Sequence, residues 1–120
     1  MKNRFFTILF VFSSLVYSQS KETPITKFSQ ELKNQGILID VRTSEEFEAG
    51  HLEGAVNIDW FAEDFKDQLD SLIVQRDKKI YVYCQKGGRS AKAVKLMDSL
   101  GYGNVTDLSG GYENYISNKN

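Results

Sequence analysis

One cysteine, one histidine and one proline in 120 residues exclude several classes of protein at once. A lone cysteine cannot build an internal disulfide framework or a cluster of thiolate metal ligands, and a lone histidine leaves no multi-histidine metal site. Net charge is only −1, so there is no strongly basic footprint for nucleic acid. Scarce proline, together with a 41% hydrophobic content, excludes collagen-like, mucin-like and disordered polar chains. The length suits one domain and not two. No repeat or low-complexity stretch interrupts it.

What is present begins with Lys2 and Arg4, an apolar run over residues 5–17, and small polar residues after it. A positive n-region, a short apolar h-region and a small-residue site after Ser18, with Val16 and Ser18 at the −3 and −1 positions, read as a cleavable signal peptide over residues 1–18. The run falls well short of the roughly 20 residues needed to span a bilayer. The expectation is therefore a domain over residues 24–117, periplasmic or secreted, with no stable membrane insertion after cleavage. In such a compartment an odd cysteine is either a partner for another chain or a working thiol.

Downstream, apolar runs alternate with amphipathic stretches. Residues 36–41, 55–58 and 80–83 read as strands buried on both faces, with 105–108 a weaker fourth. Thr43 to Glu46 fits a capping box, and Gly50 a helix stop. Phe61, Phe65, Leu69, Leu72 and Ile73 fall on one helical stripe; Ala93, Val94, Met97 and Leu100 form another, ended by Gly101. Phe28 and Leu32 predict a short helix before the first strand, and residues 112–116 a last one. This alternation predicts an α/β fold in a single domain: a small parallel sheet with helices on both faces. Ligands of such sheets bind beyond the carboxyl ends of the strands.

Cys84, Gln85, Lys86, Gly87, Gly88, Arg89 and Ser90 occupy such a position, after the Ile-Tyr-Val-Tyr strand and before a helix expected to start near Ala91. Two adjacent glycines let the backbone curl with its N–H groups inward, and the next helix aims its N-terminal dipole at the same spot. Arg89 adds a positive charge. All three effects favour a thiolate at Cys84. Residues 78–97 contain six basic side chains and no acidic one, which suits an anionic substrate. The plain alternatives are a solvated helix face for Lys92 and Lys95, and a small buried hydrophobe for Cys84.

These residues resemble the single-domain rhodanese family of sulfurtransferases. Asp40-Val41-Arg42, Glu46-Phe47 and the stretch from Gly50-His51 to Asn57-Ile58 are similar to the family's first signature. Cys84 to Ser90 is similar to its active loop, and Gly110-Gly111 with Tyr115 to its closing element, where tryptophan is usual. The resemblance implies a rhodanese-like fold and a Cys84 nucleophile that takes sulfur from a donor such as thiosulfate and holds it as a persulfide. It then passes the sulfur to a thiophilic acceptor, with Gln85 to Ser90 binding the donor and no cofactor or metal. The implied partners are a small anionic sulfur donor, a thiol or cyanide acceptor and a sulfur-accepting protein, with no nucleic acid.

Two other readings stay open: a sulfur carrier or binding module without turnover, and a phosphatase or arsenate reductase of the same fold. The second is disfavoured because such enzymes carry one more residue between cysteine and arginine than separates Cys84 from Arg89. Asp40 and Arg42 are read as a supporting pair, with Glu46 also within reach of Arg42. His51 is read as a turn residue bonding backbone rather than as a base for Cys84. Asp59 and Glu63 are read as charges at a helix N-terminus.

Overall fold

The computed structural model describes residues 20–119; the expected signal peptide lies outside them. Five strands form one parallel sheet in the order β1-β5-β4-β2-β3: β1 Lys21–Pro24, β2 Ile37–Asp40, β3 Val56–Asn57, β4 Ile80–Tyr83 and β5 Val105–Ser109. The helices are α1 Gln30–Lys33, α2 Ser44–Ala49, α3 Phe65–Leu72, α4 Gly88–Ser99 and α5 Gly111–Ser117. Strands β2 and β4 lie inside the sheet, which is why their runs are apolar without interruption.

Alternation along β4 distributes its side chains between two cores. Val82 and Cys84 face one cluster with Phe65, Leu69, Ala93, Val94 and Met97, contributed by α3 and α4. Tyr81 and Tyr83 face the other, with Ile25, Leu52 and Leu108, against which Phe28, Leu32, Tyr112 and Tyr115 pack. Helices therefore cover both faces of the sheet, as its alternating pattern predicts. Tyr115 fills the usual tryptophan position in this second cluster.

The capping box forms as expected: Thr43 Oγ1 accepts from the Glu46 amide at 3.3 Å, and Glu46 Oε1 accepts from the Thr43 amide at 3.1 Å. Three features differ from the sequence reading. Strand β1 was not expected; it is a polar, largely exposed edge strand with no hydrophobic alternation to announce it. Phe61 does not join the α3 stripe and is 67% exposed. Asp59 captures the Phe61 amide through Oδ1 (2.9 Å) and the Ala62 amide through its carbonyl (3.0 Å), turning the chain before α3 begins. Finally, α4 starts at Gly88, so Arg89 and Ser90 belong to its first turn. Gly87, at φ 120°, bends the backbone straight into the helix, and its carbonyl accepts from the Ala91 amide.

Candidate active site

Cys84 follows the last residue of β4, at the carboxyl end of a central strand. Its side chain is 1% exposed, but it is not sealed in hydrocarbon. The Gly87 amide donates to Sγ at 3.0 Å, and the Ser90 hydroxyl lies 3.5 Å from it. Ser90, itself fully buried, also donates to the Gly87 carbonyl at 3.1 Å. Sulfur thus accepts one backbone hydrogen, from the Gly87 amide, and its thiol faces the Ser90 hydroxyl oxygen in the first turn of α4.

The opposite side of the loop is held by α5. The Tyr112 amide donates to the Cys84 carbonyl at 2.8 Å and the Glu113 amide to the Gln85 carbonyl at 3.0 Å. In a trans peptide N–H and C=O point in opposite directions. Pinning these carbonyls to α5 therefore turns the Gln85 and Lys86 amides away from it. Gly111 makes this approach possible: a Cβ there would lie 2.4 Å from the Gln85 carbonyl oxygen.

Asp40 and Arg42 form a buried pair below the loop, 0% and 2% exposed. Arg42 Nε and Nη2 donate to the Asp40 carboxylate at 2.7–3.1 Å, Nη1 donates to Gln85 Oε1 at 3.0 Å, and Nη2 to the Gly50 carbonyl at 2.6 Å. The guanidinium also stacks over Tyr112, 4.3 Å from the ring centre. Burial works against its charge, and Asp40 more than reverses this, holding it above the ordinary range. Asn57 Nδ2 ties the same turn by donating to the Asp40 and Arg42 carbonyls. A cleft of about 410 Å³ lined by Arg42, Glu46, Ala49, Gln85 and Tyr112 opens beside the loop.

Glu46 pairs with Arg89 rather than with Arg42. Arg89 Nη1 and Nη2 donate to its two carboxylate oxygens at 2.6 and 2.9 Å. This clamps α2 to the first turn of α4 and pairs the Arg89 charge with a carboxylate. Lys86 and Gly88 are exposed at the surface. His51 stacks on Phe47 and its Nδ1 donates to the Phe47 carbonyl at 2.7 Å. Asp59 caps its own turn, and Glu63 is exposed.

The hydrogen bonds from Arg89 are the largest cause that lowers the Glu46 carboxyl from 4.5 to about 2. A depressed folded-state value stabilises above the unfolded one and loses that contribution as pH falls. The clamp should be intact above about pH 5 and weaken as pH drops toward 2. Urea midpoints measured at about pH 5 and about pH 3 should fall further apart in the wild type than in Glu46→Gln; equal separations would mean that the clamp contributes nothing.

Cys84, Gly87, Ser90, Asp40 and Arg42, all candidates by sequence, gather around one loop. Glu46 as the partner of Arg89, and Gly111 and Tyr112 as the support of the loop carbonyls, emerge only in the structure. The Gly110-Gly111 pair was the available signal.

A Rhodanese-like domain model matches residues 25–118. Thiosulfate sulfurtransferase 16 of Arabidopsis thaliana is 39% identical over 89 residues, covering 67% of this chain and 73% of that protein. The adenylyltransferase and sulfurtransferase UBA4 of Meyerozyma guilliermondii is 32% identical over 104 residues; the match takes in 83% of this chain but only 24% of that longer protein. Among solved structures, the human single-domain sulfurtransferase TSTD1 superposes with a TM-score of 0.64 at 25% identity, covering 84% of this chain and 97% of that one. The parallel sheet, the cysteine loop and these likenesses agree, and the chain belongs to the rhodanese-like family, with sulfurtransferases among its relatives.

Proposed function

We propose that this protein is a sulfurtransferase that carries sulfane sulfur as a persulfide on Cys84. The Cys84 thiolate attacks the outer sulfur of an anionic donor of the thiosulfate type. A new S–S bond forms, the donor's S–S bond breaks, and sulfite leaves with the bonding electron pair. A thiolate acceptor (cyanide serves in assays) then attacks the terminal sulfur and restores the Cys84 thiolate, so charge and atoms balance in both half-reactions. The observation that carries this reading is the Gly87 amide, 3.0 Å from Sγ at the start of α4. A donor at that position stabilises negative charge on the first sulfur and on the transferred one. Gln85 to Ser90 surround the incoming anion, with Arg89 and Lys86 supplying positive charge, and Asp40 and Arg42 hold the loop from below. Export of the mature domain to the periplasm or medium, after loss of residues 1–18, belongs to the same proposal.

Intact mass measured after thiosulfate exposure tests it. Wild-type protein should gain one sulfur atom, and Cys84→Ser, which alters a single buried atom, should gain none and lose thiosulfate:cyanide turnover. No mass gain in the wild type, or undiminished turnover in Cys84→Ser, would overturn the proposal. A mass gain without turnover would leave a stoichiometric carrier instead of an enzyme.

A further inference from the structure

Three exposed lysines border the Cys84 loop. Lys86 lies in the loop itself, and Lys92 and Lys95 follow one and two turns beyond Gly88. At 3.6 residues per turn, Gly88, Lys92 and Lys95 form one outward stripe of α4, opposite its buried Ser90, Ala93, Val94 and Met97. Among the described residues none of the three lysines forms a salt bridge, whereas Arg89 is held by Glu46. The single carboxylate of α4 is turned off the stripe: Asp98 Oδ2 accepts from the Ser20 amide at 3.3 Å, and its Oδ1 is buried. The whole chain has 15 basic and 16 acidic residues, so this unpaired positive strip beside the sole cysteine is a local concentration and not a reflection of composition. Two further features share its loop end. Phe61, 67% exposed and held by the Asp59 turn, has the Arg89 guanidinium 5.9 Å from its ring centre. A Cβ at Gly88 would meet no atom within 4 Å, so the ground between loop and lysines is open.

We propose that the outer face of α4, with Lys86 and Phe61 at its loop end, docks a protein that presents a cysteine thiol on an acidic surface, and that this thiol accepts the sulfur held by Cys84. Charge complementarity chooses the partner. Unpaired ammonium groups around a reactive centre steer an oppositely charged surface toward it and repel a basic one. Phe61 supplies what charge does not, a rigid aromatic anchor of the kind that fixes an interface once it has formed. In the transfer the partner's thiolate attacks the terminal sulfur of the Cys84 persulfide. A new S–S bond forms on the partner, the bond to Cys84 Sγ breaks, and its electron pair returns to Sγ as the thiolate.

The inference rests on Cys84 as the working sulfur of the proposed function, but thiol–disulfide exchange tests the docking face without any sulfur donor, so the two can fail separately. The probes are a glutamate-rich and a lysine-rich peptide, each with one leucine and one cysteine activated as its mixed disulfide with 2-thiopyridine. The Cys84 thiolate attacks the peptide sulfur, 2-thiopyridone leaves, and its absorbance gives the rate. At low salt the glutamate-rich peptide should react about tenfold faster, and added salt should remove the difference. The double variant Lys92→Glu with Lys95→Glu should reverse the preference while thiosulfate:cyanide turnover stays within about twofold of wild type. Phe61→Ser should slow both peptides by about threefold and leave their ratio unchanged. Equal rates at low salt, no exchange with either peptide, a preference that survives the double charge reversal, or undiminished rates in Phe61→Ser would overturn the proposal. So would binding to phosphatidylglycerol vesicles that the double variant loses, in the absence of a peptide preference, because it would assign the face to a lipid surface.

Discussion

Gly111→Ala should destabilise the domain by about 3 kcal/mol or more and release the loop that holds Cys84. Two separate penalties act at this position. Its φ is +69°, where a side chain costs roughly 1–2 kcal/mol. The new Cβ would also meet the Gln85 carbonyl oxygen and carbon at 2.4 and 2.5 Å and the Cys84 carbonyl oxygen at 2.7 Å. These are backbone atoms, so no rotamer change relieves the contact. Either α5 withdraws or the loop moves, and both routes break the bonds from the Tyr112 and Glu113 amides to the loop carbonyls. For a domain of this size the loss corresponds to roughly 12–24 °C in thermal midpoint. Iodoacetamide should also reach Cys84 faster, because its enclosure depends on the same carbonyl anchors. Gly88→Ala is the matched control. No atom lies within 4 Å of its added Cβ, and alanine is the better helix former, so its midpoint should stay the same or rise. A drop in Gly111→Ala no larger than that of an ordinary surface change would refute the buttress.

The parts of this fold legible in sequence are those governed by short-range rules. Ile80 to Tyr83 had to be an interior strand because four consecutive apolar residues have no solvated face to spare. The turn from Cys84 to Gly87 was legible because glycine permits the bend. Strand β1 was not, because Lys21, Glu22 and Pro24 satisfy an edge strand with one partner, and nothing in their pattern demands it. The Phe61 spacing matched a helix, yet a local Asp59 turn won over periodicity. The relations hidden most completely join residues far apart in the chain. Glu46 and Arg89 are 43 positions apart, and the local pattern places Glu46 in a capping box and Arg89 in the cysteine loop without joining them. Gly110-Gly111 was visible as a motif, but the reason for Gly111, room for α5 against the loop backbone, exists only in three dimensions.

Removing the Arg42 guanidinium should cost still more, about 3–5 kcal/mol, because it strands a fully buried carboxylate. Asp40 is 0% exposed, and Arg42 supplies its charge partner along with the donors to Gly50 and Gln85. Arg42→Ala therefore leaves the Asp40 anion without its countercharge and with only the residue 42 backbone amide as donor, at 2.9 Å, strips a backbone carbonyl and a loop side chain of their donors, and opens a void beneath the loop. Arg42→Lys should rescue little. A single ammonium cannot reproduce a planar fork that bonds Asp40, Gly50 and Gln85 while lying flat on Tyr112. The informative variant is the double replacement Asp40→Leu with Arg42→Met. Exchanging a whole buried pair for apolar groups of similar volume is commonly near neutral. Here it should recover at least about half of the Arg42→Ala loss in urea melts, short of full recovery because the Gly50 carbonyl still lacks its donor. The loop should not recover with it, since Gln85 stays unanchored, and Cys84 alkylation in the double variant should remain faster than in wild type. Stability and loop order would then separate, assigning the ion pair to the fold and the Arg42–Gln85 bond to the site. If Arg42→Ala costs no more than about 1 kcal/mol, in the range of an exposed ion pair, the buried charge is being solvated and this account of the pair is wrong.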